Sequence, residues 1–559
     1  MLKLFFQKNS IIVLCFITIL VSSCGTSKSI NHKPILAGYT NKIAERKIHS
    51  DSLITIEKNK LKLSKYGHWQ LFVSGDPLER GLLTGSLTRE LLQYQDRVFL
   101  DKIEEIVPSK FKQKLLRSFL KWFNRKLYLN VKEEYKTEIY GVSRFASDKY
   151  NHIAPKYLRS LYLHGAHDIG HALQDLALVG CSSFAAWGNK TSDGKLLLAR
   201  NFDFYAGDDF AKNKLISFVK PTEGIPFVSV AWGGMVGAVS AMNKKGLTVT
   251  LNAGKSAVPL VAKTPISLVA REIIQYASTI NEAIAIAKKR TVFVAESIMV
   301  GSAADNKAVL IEVSPSNFGV YNVTNSNQLI CSNHFQSKPY ETDKNNLKHI
   351  KESHSQYRFE KMEELLGQTE KLTPKKAVAI LRDRSGLKSK SIGYGNEKAL
   401  NQLLAHHGVV FKPSEKQLWV STNPYQLGAF VAYDLDEIFS ESFNEKVTFE
   451  KESLTIAADS FINSQAYINY ENYRRIDRRI DVVLSNPETQ ISSEELAQYI
   501  ALNSNLWIPH YKVGKYYYQK KWYTKAVPYF EAALQKEVTT IPDKKAIEKH
   551  LKKCLRKIN

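Results

Sequence analysis

The spacing of apolar positions changes four times along the chain. An uninterrupted apolar run at 11–21 follows Lys3 and Lys8 and gives way to a polar stretch at 25–34. From there to Gly180 the spacing is mainly helical, apart from an alternating run at 69–73 that predicts a strand ending before Gly75 and Asp76. Phe111, Leu115, Leu116, Phe119, Leu120, Phe123 and Leu127 recur every three or four residues, with Lys110, Lys112, Lys114, Arg117, Lys121, Arg125 and Lys126 between them. This predicts a basic amphipathic helix packed on the core with its basic face in water. The same pattern suits a helix pressed on anionic lipid.

Between Cys181 and Leu435 the texture becomes short alternating or β-branched runs broken by turns. Strands are predicted at 183–187, 196–200, 215–219, 227–232, 247–251, 298–301, 308–313, 318–323, 329–332, 409–411, 418–421 and 430–433, and helices at 266–277, 281–289, 349–366 and 374–381. Blocks of strands separated by helices predict an α+β layered domain and argue against a regular βαβ array. Past about residue 455 the spacing is helical again. There His510, Val513, Gly514, Tyr517, Ala526, Phe530 and Ala533 fall on the spacing of a tetratricopeptide repeat, although Pro528 departs from it. A solenoid needs about three such units, so a helical C-terminal cap is expected. The segments are then 1–23, 24–64, 65–180, 181–454 and 455–559.

The composition of the 559 residues, 44% apolar and 24% charged, is that of a globular chain with room for roughly two to four domains. It excludes disordered, collagenous and polytopic membrane classes. The five cysteines, Cys15, Cys24, Cys181, Cys331 and Cys554, form no CxxC pair, which excludes a disulfide scaffold and a zinc ribbon. A net charge of +24 is regional, with 13 basic against 4 acidic residues in 501–559 and 14 against 7 in 101–160. Without a nucleic-acid motif beside it, an anionic surface is the expected partner and nucleic acid is not. The run at 11–21 is too short to span a bilayer at about 20 residues but suits the apolar region of a signal peptide. It ends in Val21-Ser22-Ser23-Cys24, which resembles a bacterial lipobox. That implies removal of 1–23, lipidation of Cys24, and a chain anchored by lipid to a membrane of the cell envelope through the tether at 25–34.

The chemistry centres on Gly180-Cys181-Ser182-Ser183-Phe184. A strand from Cys181 to Trp187, a turn at 188–195 containing Asp193-Gly194, and a strand from Leu196 through Arg200, Asn201, Phe202 and Asp203 read as a hairpin. If Gly188 pairs with Lys195, Cys181 lies opposite Phe202, with Arg200 and Asp203 among its cross-strand neighbours. A nearby positive charge lowers a thiol pKa, and a carboxylate orients a cationic partner. No histidine presents itself as a base. Arg200 and Asp203, three apart, face opposite sides of a flat strand, so a bulge or twist is needed to join them. A nucleophile at the start of a processed chain can use its own α-amine as base, and Gly180 tolerates the strained backbone that internal attack needs.

GCSSFAAW, LLLARNFDF, MNKKGLTVTLNAG at 242–254, CSNHF at 331–335 and the run from His407 to Leu435 together resemble the acyl-coenzyme A:6-aminopenicillanic acid acyltransferase (peptidase C45) family of N-terminal nucleophile hydrolases. These are relatives of choloylglycine hydrolases, acid ceramidase and N-acylethanolamine acid amidase. The resemblance covers about 65–440. It implies a four-layer αββα core and self-cleavage between Gly180 and Cys181 into two fragments. Cys181 is then the nucleophile with its freed α-amine as base, Arg200 and Asp203 hold both, Asn252 is the oxyanion-hole side chain and Asn333 a second asparagine on the amine or substrate. The implied reaction is hydrolysis or acyl transfer at a non-peptide amide through an S-acyl enzyme, and the anchor and basic surface favour a small amphiphilic N-acyl amide. The alternatives are an inert scaffold binding a protein partner through its C-terminal helices, and a papain-like hydrolase, which requires a histidine against Cys181. His334, His406 and His407 read as structural, no set of side chains has metal-ligand spacing, and no cofactor is expected.

Overall fold

The computed structural model describes residues 26–165, 180–204, 207–255, 261–404, 406–440, 448–486 and 488–558. The apolar run, the lipobox and Cys24 lie outside them. Two sheets carry the fold. The larger has eleven strands in the order Lys47–Ser50, Leu53–Ile56, Asn59–Leu63, Trp69–Gly75, Leu215–Pro221, Phe227–Ala231, Ser240–Asn243, Leu247–Ala253, Glu296–Ser302, Lys307–Val313 and Phe318–Tyr321. The smaller has six: Gln328–Cys331, Ser182–Ala186, Leu197–Phe202, His407–Lys412, Gln417–Ser421 and Phe430–Asp434.

Period-2 alternation sorts each strand between two cores. In Glu296–Ser302, Met299 enters a core shared by both sheets, while Ile298 and Val300 enter the core beneath the outer helices. The shared core holds Ile216, Phe218, Val228, Val230, Met242 and Leu310 of the large sheet against Leu198, Val409, Phe411, Leu418, Val420 and Val431 of the small one. Outside the large sheet lie helices Pro77–Leu87, Glu133–Ser143 and Ile266–Tyr276; outside the small sheet, Ser355–Gly367 and Pro374–Leu381. The layers are therefore helix, sheet, sheet, helix, and the α+β expectation holds at that level. Buried charge ties the outer layer together, because Arg80 and Arg271 both donate to Glu138, at 2.8 and 3.1 Å.

Every strand read from the sequence is present, with its ends within two residues of those expected. Four others were not foreseen, the three at 47–63 and Ser240–Asn243. The helix expected at 349–366 is two helices, Lys344–Glu352 and Ser355–Gly367, broken at Ser353, whose backbone is extended. The basic helix runs Lys110–Phe123. Phe123 and, beyond the helix, Leu127 are buried, but Phe111, Leu115 and Phe119 are 77, 63 and 46% exposed, so its N-terminal half does not pack its apolar face as expected. The C-terminal helices, Gln465–Ser485 to Ile541–Ile558, pack on a core of their own that includes Val513, Ala526, Phe530 and Ala533. No helix among the described residues is long and apolar enough to cross a membrane.

Candidate active site

Strand parity decides what faces the gap between the sheets. In Leu197–Phe202, Leu198 is inward and Leu197 and Ala199 are outward, so Arg200 points inward. In Ser182–Ala186, Ala185 is inward and Phe184 and Ala186 outward, which turns Ser183 and the preceding Cys181 inward too. The strands pair Ser182 with Asn201 and Ser183 with Arg200, the register expected from the turn, so Cys181 sits across from Phe202. The turn closes on Gly188 N–H to Gly194 O (3.1 Å), and the 3-10 segment Gly188–Lys190 takes up its length.

Arg200, fully buried, joins the thiol to the large sheet. Its Nη1 donates to Val239 O and Ser240 Oγ, both at 2.6 Å, and its Nη2 donates to Leu251 O and to Cys181 Sγ at 3.6 Å. Asp203 reaches the same neighbourhood without bulge or special twist, because the strand stops at Phe202 and Asp203 is free of its alternation. The Asp203 carbonyl accepts from Gly180 N–H (3.1 Å), Oδ1 accepts from Gln426 Nε2 (3.3 Å), and Oδ2 is buried with no hydrogen-bond partner among the described residues.

Burial dominates the electrostatics. It pushes the Cys181 thiol up, with Asp203 and Glu296 adding to the effect and Arg200 and the Asp203 backbone opposing it. The expectation that neighbouring positive charge leaves the thiol depressed is therefore corrected: Arg200 acts in that direction, but desolvation of the thiolate outweighs it. Burial likewise pushes the Asp203 carboxyl up to about 7 against Arg358, Gln426 and Arg200. The thiol is thus held toward its protonated form, and among the described residues no cation forms an ion pair with the Asp203 carboxylate.

The two asparagines stand around the cysteine without touching the thiol. Asn252 accepts from Ser183 Oγ (2.8 Å) and donates to Cys331 O (3.1 Å) and Ser332 O (3.2 Å). Asn333 donates to Ala253 O (2.9 Å) and accepts from Arg358 Nη2 (2.6 Å). Arg358 is the principal residue that the sequence did not reveal. Fully buried, it donates to the Cys181 carbonyl and to Ser182 Oγ (2.9 Å) through Nη1, and to His354 Nδ1 (3.1 Å) through Nε. The helix break at Ser353 starts a helix whose first turns carry Ser355 and Arg358 to this place. Gln402 was missed as well; its Nε2 donates to Gly180 O at 2.9 Å. The reason for glycine at 180 also changes. A Cβ there would lie 2.5 Å from Gln402 Nε2, so close packing asks for glycine at this position.

His406 and His407 form a support for Arg200 through Ser240. His407 Nε2 bonds Ser240 Oγ (2.9 Å), and His406 Nδ1 meets His407 Nδ1 (2.8 Å). Burial pushes His406 down to about 3 and His407 well below its usual range, so both are neutral. No described histidine bonds the thiol. A cleft of about 920 Å³ is lined by residues that include Arg382, Arg384, Tyr394 and Asp459, and Cys181 is not part of its lining. Its two arginines are already bound, to Gln426, Leu427, Gly428 and Ala457 carbonyls and to Asp459. Among the described residues no group of three His, Cys, Asp or Glu side chains has the arrangement of a metal site.

Residues 189–423 match the family model of acyl-coenzyme A:6-aminopenicillanic acid acyl-transferase. This segment is similar to that family over somewhat less than half of the chain. Arg200, Asp203, Asn252, Asn333, Arg358 and Gln402 lie inside the match, and Cys181 shortly before it. An uncharacterized protein of Archaeoglobus fulgidus is 26% identical over 276 residues, which cover 45% of this chain and 45% of that relative; the chain thus spans about half the length of the curated relative it matches. Among solved structures, the Caenorhabditis elegans N-acylethanolamine-hydrolyzing acid amidase ortholog is 19% identical with a TM-score of 0.32, covering 42% of this chain and 93% of its own. A mutant conjugated bile acid hydrolase from Clostridium perfringens is 12% identical with a TM-score of 0.32, covering 47% and 95%.

Proposed function

We propose that the chain is a self-processed cysteine amide hydrolase or acyltransferase of the N-terminal nucleophile type. The observation that carries the reading is the Arg200 contact to Cys181 Sγ, together with a buried Asp203 Oδ2 that has no hydrogen-bond partner among the described residues. An α-ammonium created at Cys181 is the cation that this oxygen lacks. Cleavage between Gly180 and Cys181 frees that amine, which takes the thiol proton. Cys181 attacks an acyl-amide carbonyl, Arg200 and Asp203 hold sulfur and amine, and Asn252 and Asn333 turn toward the oxyanion or substrate. An S-acyl enzyme forms and is released by water or an acceptor amine. The aromatic wall of Phe202, Phe204, Phe210 and Trp232 supports a small amphiphilic N-acyl amide as substrate. Lipidated Cys24 holds the chain at a membrane of the cell envelope, and the tetratricopeptide-like helices offer a site for a protein partner.

Mass spectrometry of the purified ectodomain tests the reading. Two fragments meeting at Gly180 and Cys181, lost in Cys181→Ala, are expected, together with turnover of a panel of N-acyl amines by the cut protein. An intact chain with an unreactive Cys181 leaves the scaffold role in its place.

A further inference from the structure

We infer that Gln402 is the oxyanion donor for the chain's own cleavage at Gly180, an inference that rests on the self-processing reading above. In that step Cys181 Sγ adds to the Gly180 carbonyl carbon. The S–C bond forms, the π pair moves to Gly180 O, and the thiol proton passes to the Cys181 nitrogen. The C–N bond then breaks as the carbonyl re-forms, which leaves a Gly180 thioester and a free α-amine, and one water hydrolyses the thioester to the Gly180 carboxylate and the thiol. Negative charge develops on Gly180 O in both halves, and a preorganised donor 2.7 to 3.1 Å from that oxygen is what such a step requires. Gln402 Nε2 stands at 2.9 Å, on a residue that is 3% exposed. The peptide on either side is clamped, Gly180 N–H by Asp203 O (3.1 Å) and the Cys181 carbonyl by Arg358. A neutral amide stabilises the oxyanion without trapping it as a permanent ion pair.

The surrounding chain is built to hold this amide in place. Asn401 N–H donates to Asp383 O (2.8 Å), Asn401 Nδ2 to Tyr425 O (3.0 Å), and Leu403 N–H to Asn401 Oδ1 (3.0 Å). Leu403 is in the left-handed region at φ 52°, a conformation that a branched side chain keeps only where its surroundings impose it. Tyr470 of helix Gln465–Ser485 donates to Leu403 O at 3.2 Å, so the C-terminal helices brace the loop. Gly180 completes the fit, since any Cβ there displaces the amide.

The test follows fragment formation over time by mass spectrometry in freshly synthesised full-length chain, wild type against Gln402→Met, Gln402→Glu and Gly180→Ala, each with its thermal unfolding recorded. Cleavage about 100- to 1,000-fold slower than wild type is expected for a folded Gln402→Met, the loss that one oxyanion donor produces elsewhere. Gly180→Ala, which changes the other side of the contact, is expected to slow in parallel should the Gln402 variants not fold. A wild-type chain that never cuts refutes the self-processing reading itself. A wild-type chain that cuts while Gln402→Met or Gly180→Ala keeps pace with it overturns the role of Gln402 and leaves Cys181 as nucleophile.

Discussion

Asp203 gives the site a pH signature that can be read before any substrate is known. Its carboxyl, ordinarily near 3.8, is pushed up to about 7 by burial, with Arg358, Gln426 and Arg200 only partly offsetting the desolvation. A carboxyl whose folded pKa lies above its unfolded value contributes its stability below about 3.8, where it is protonated in both states. That contribution drains away as pH rises through about 7, because the unfolded chain ionises first. The gap, at about 1.4 kcal/mol per pH unit, is on the order of 4 kcal/mol. Cys181→Ala is expected to keep the chain uncut on the proposed reading, so Cys181→Ala and Cys181→Ala/Asp203→Asn can be unfolded in guanidinium between pH 4 and 8 and followed by tryptophan fluorescence. Buried neutral histidines such as His68 and His406, both pushed down to about 3, make stability rise with pH toward 6.5, but they are common to both proteins and cancel in the difference. The Asp203 protein should lose roughly 4 kcal/mol relative to the Asn protein across this range, and processed wild type, with an α-ammonium beside the carboxylate, should lose much less. Parallel profiles for the two uncut variants would refute the argument.

Arg358→Met strands the Cys181 carbonyl, Ser182 Oγ and Asn333 Oδ1 in the interior; a loss of about 3 to 5 kcal/mol in denaturant unfolding is expected, and a loss under 1 kcal/mol speaks against these bonds. Phe111→Ser with Leu115→Ser should change stability by no more than about 0.5 kcal/mol per site, as for surface positions; a thermal shift equivalent to several kcal/mol means that the helix is packed after all. Gly514→Val should destabilise by about 1 to 3 kcal/mol, because a Cβ there lies 2.7 Å from the buried Phe530 ring, and an unchanged melting curve argues against that packing.

The hairpin around Cys181 was legible because both strands carry apolar residues on alternate positions and a Gly-containing turn fixes their register. Arg200 and Asp203 both followed from that register as neighbours of Cys181. How Asp203 comes to the same side as Arg200 did not, because alternation says nothing once a strand has ended. Arg358 sits in SQYRFEKM, where a charged residue between apolar ones reads as a solvated helix face; nothing local shows that a break at Ser353 turns it into the core. Gln402 lies in a segment without periodicity, and its partner is 222 residues away. The strand Ser240–Asn243 was hidden by its small and polar residues, and those at 47–63 by their lysines. The exposed half of helix Lys110–Phe123 carries the opposite lesson, since amphipathic spacing gives the direction of an apolar face but not whether the rest of the chain meets it.

The large sheet has one parallel seam, where Trp69–Gly75 runs beside Leu215–Pro221. These two strands fall on opposite sides of the Gly180–Cys181 bond. A cut there therefore leaves a single hydrogen-bonded fabric woven from two polypeptides, with four strands from one and seven from the other. The pieces should migrate separately in detergent yet elute as one particle from a gel-filtration column under native conditions, and the amino-terminal piece, made alone, should present a raw sheet edge and aggregate.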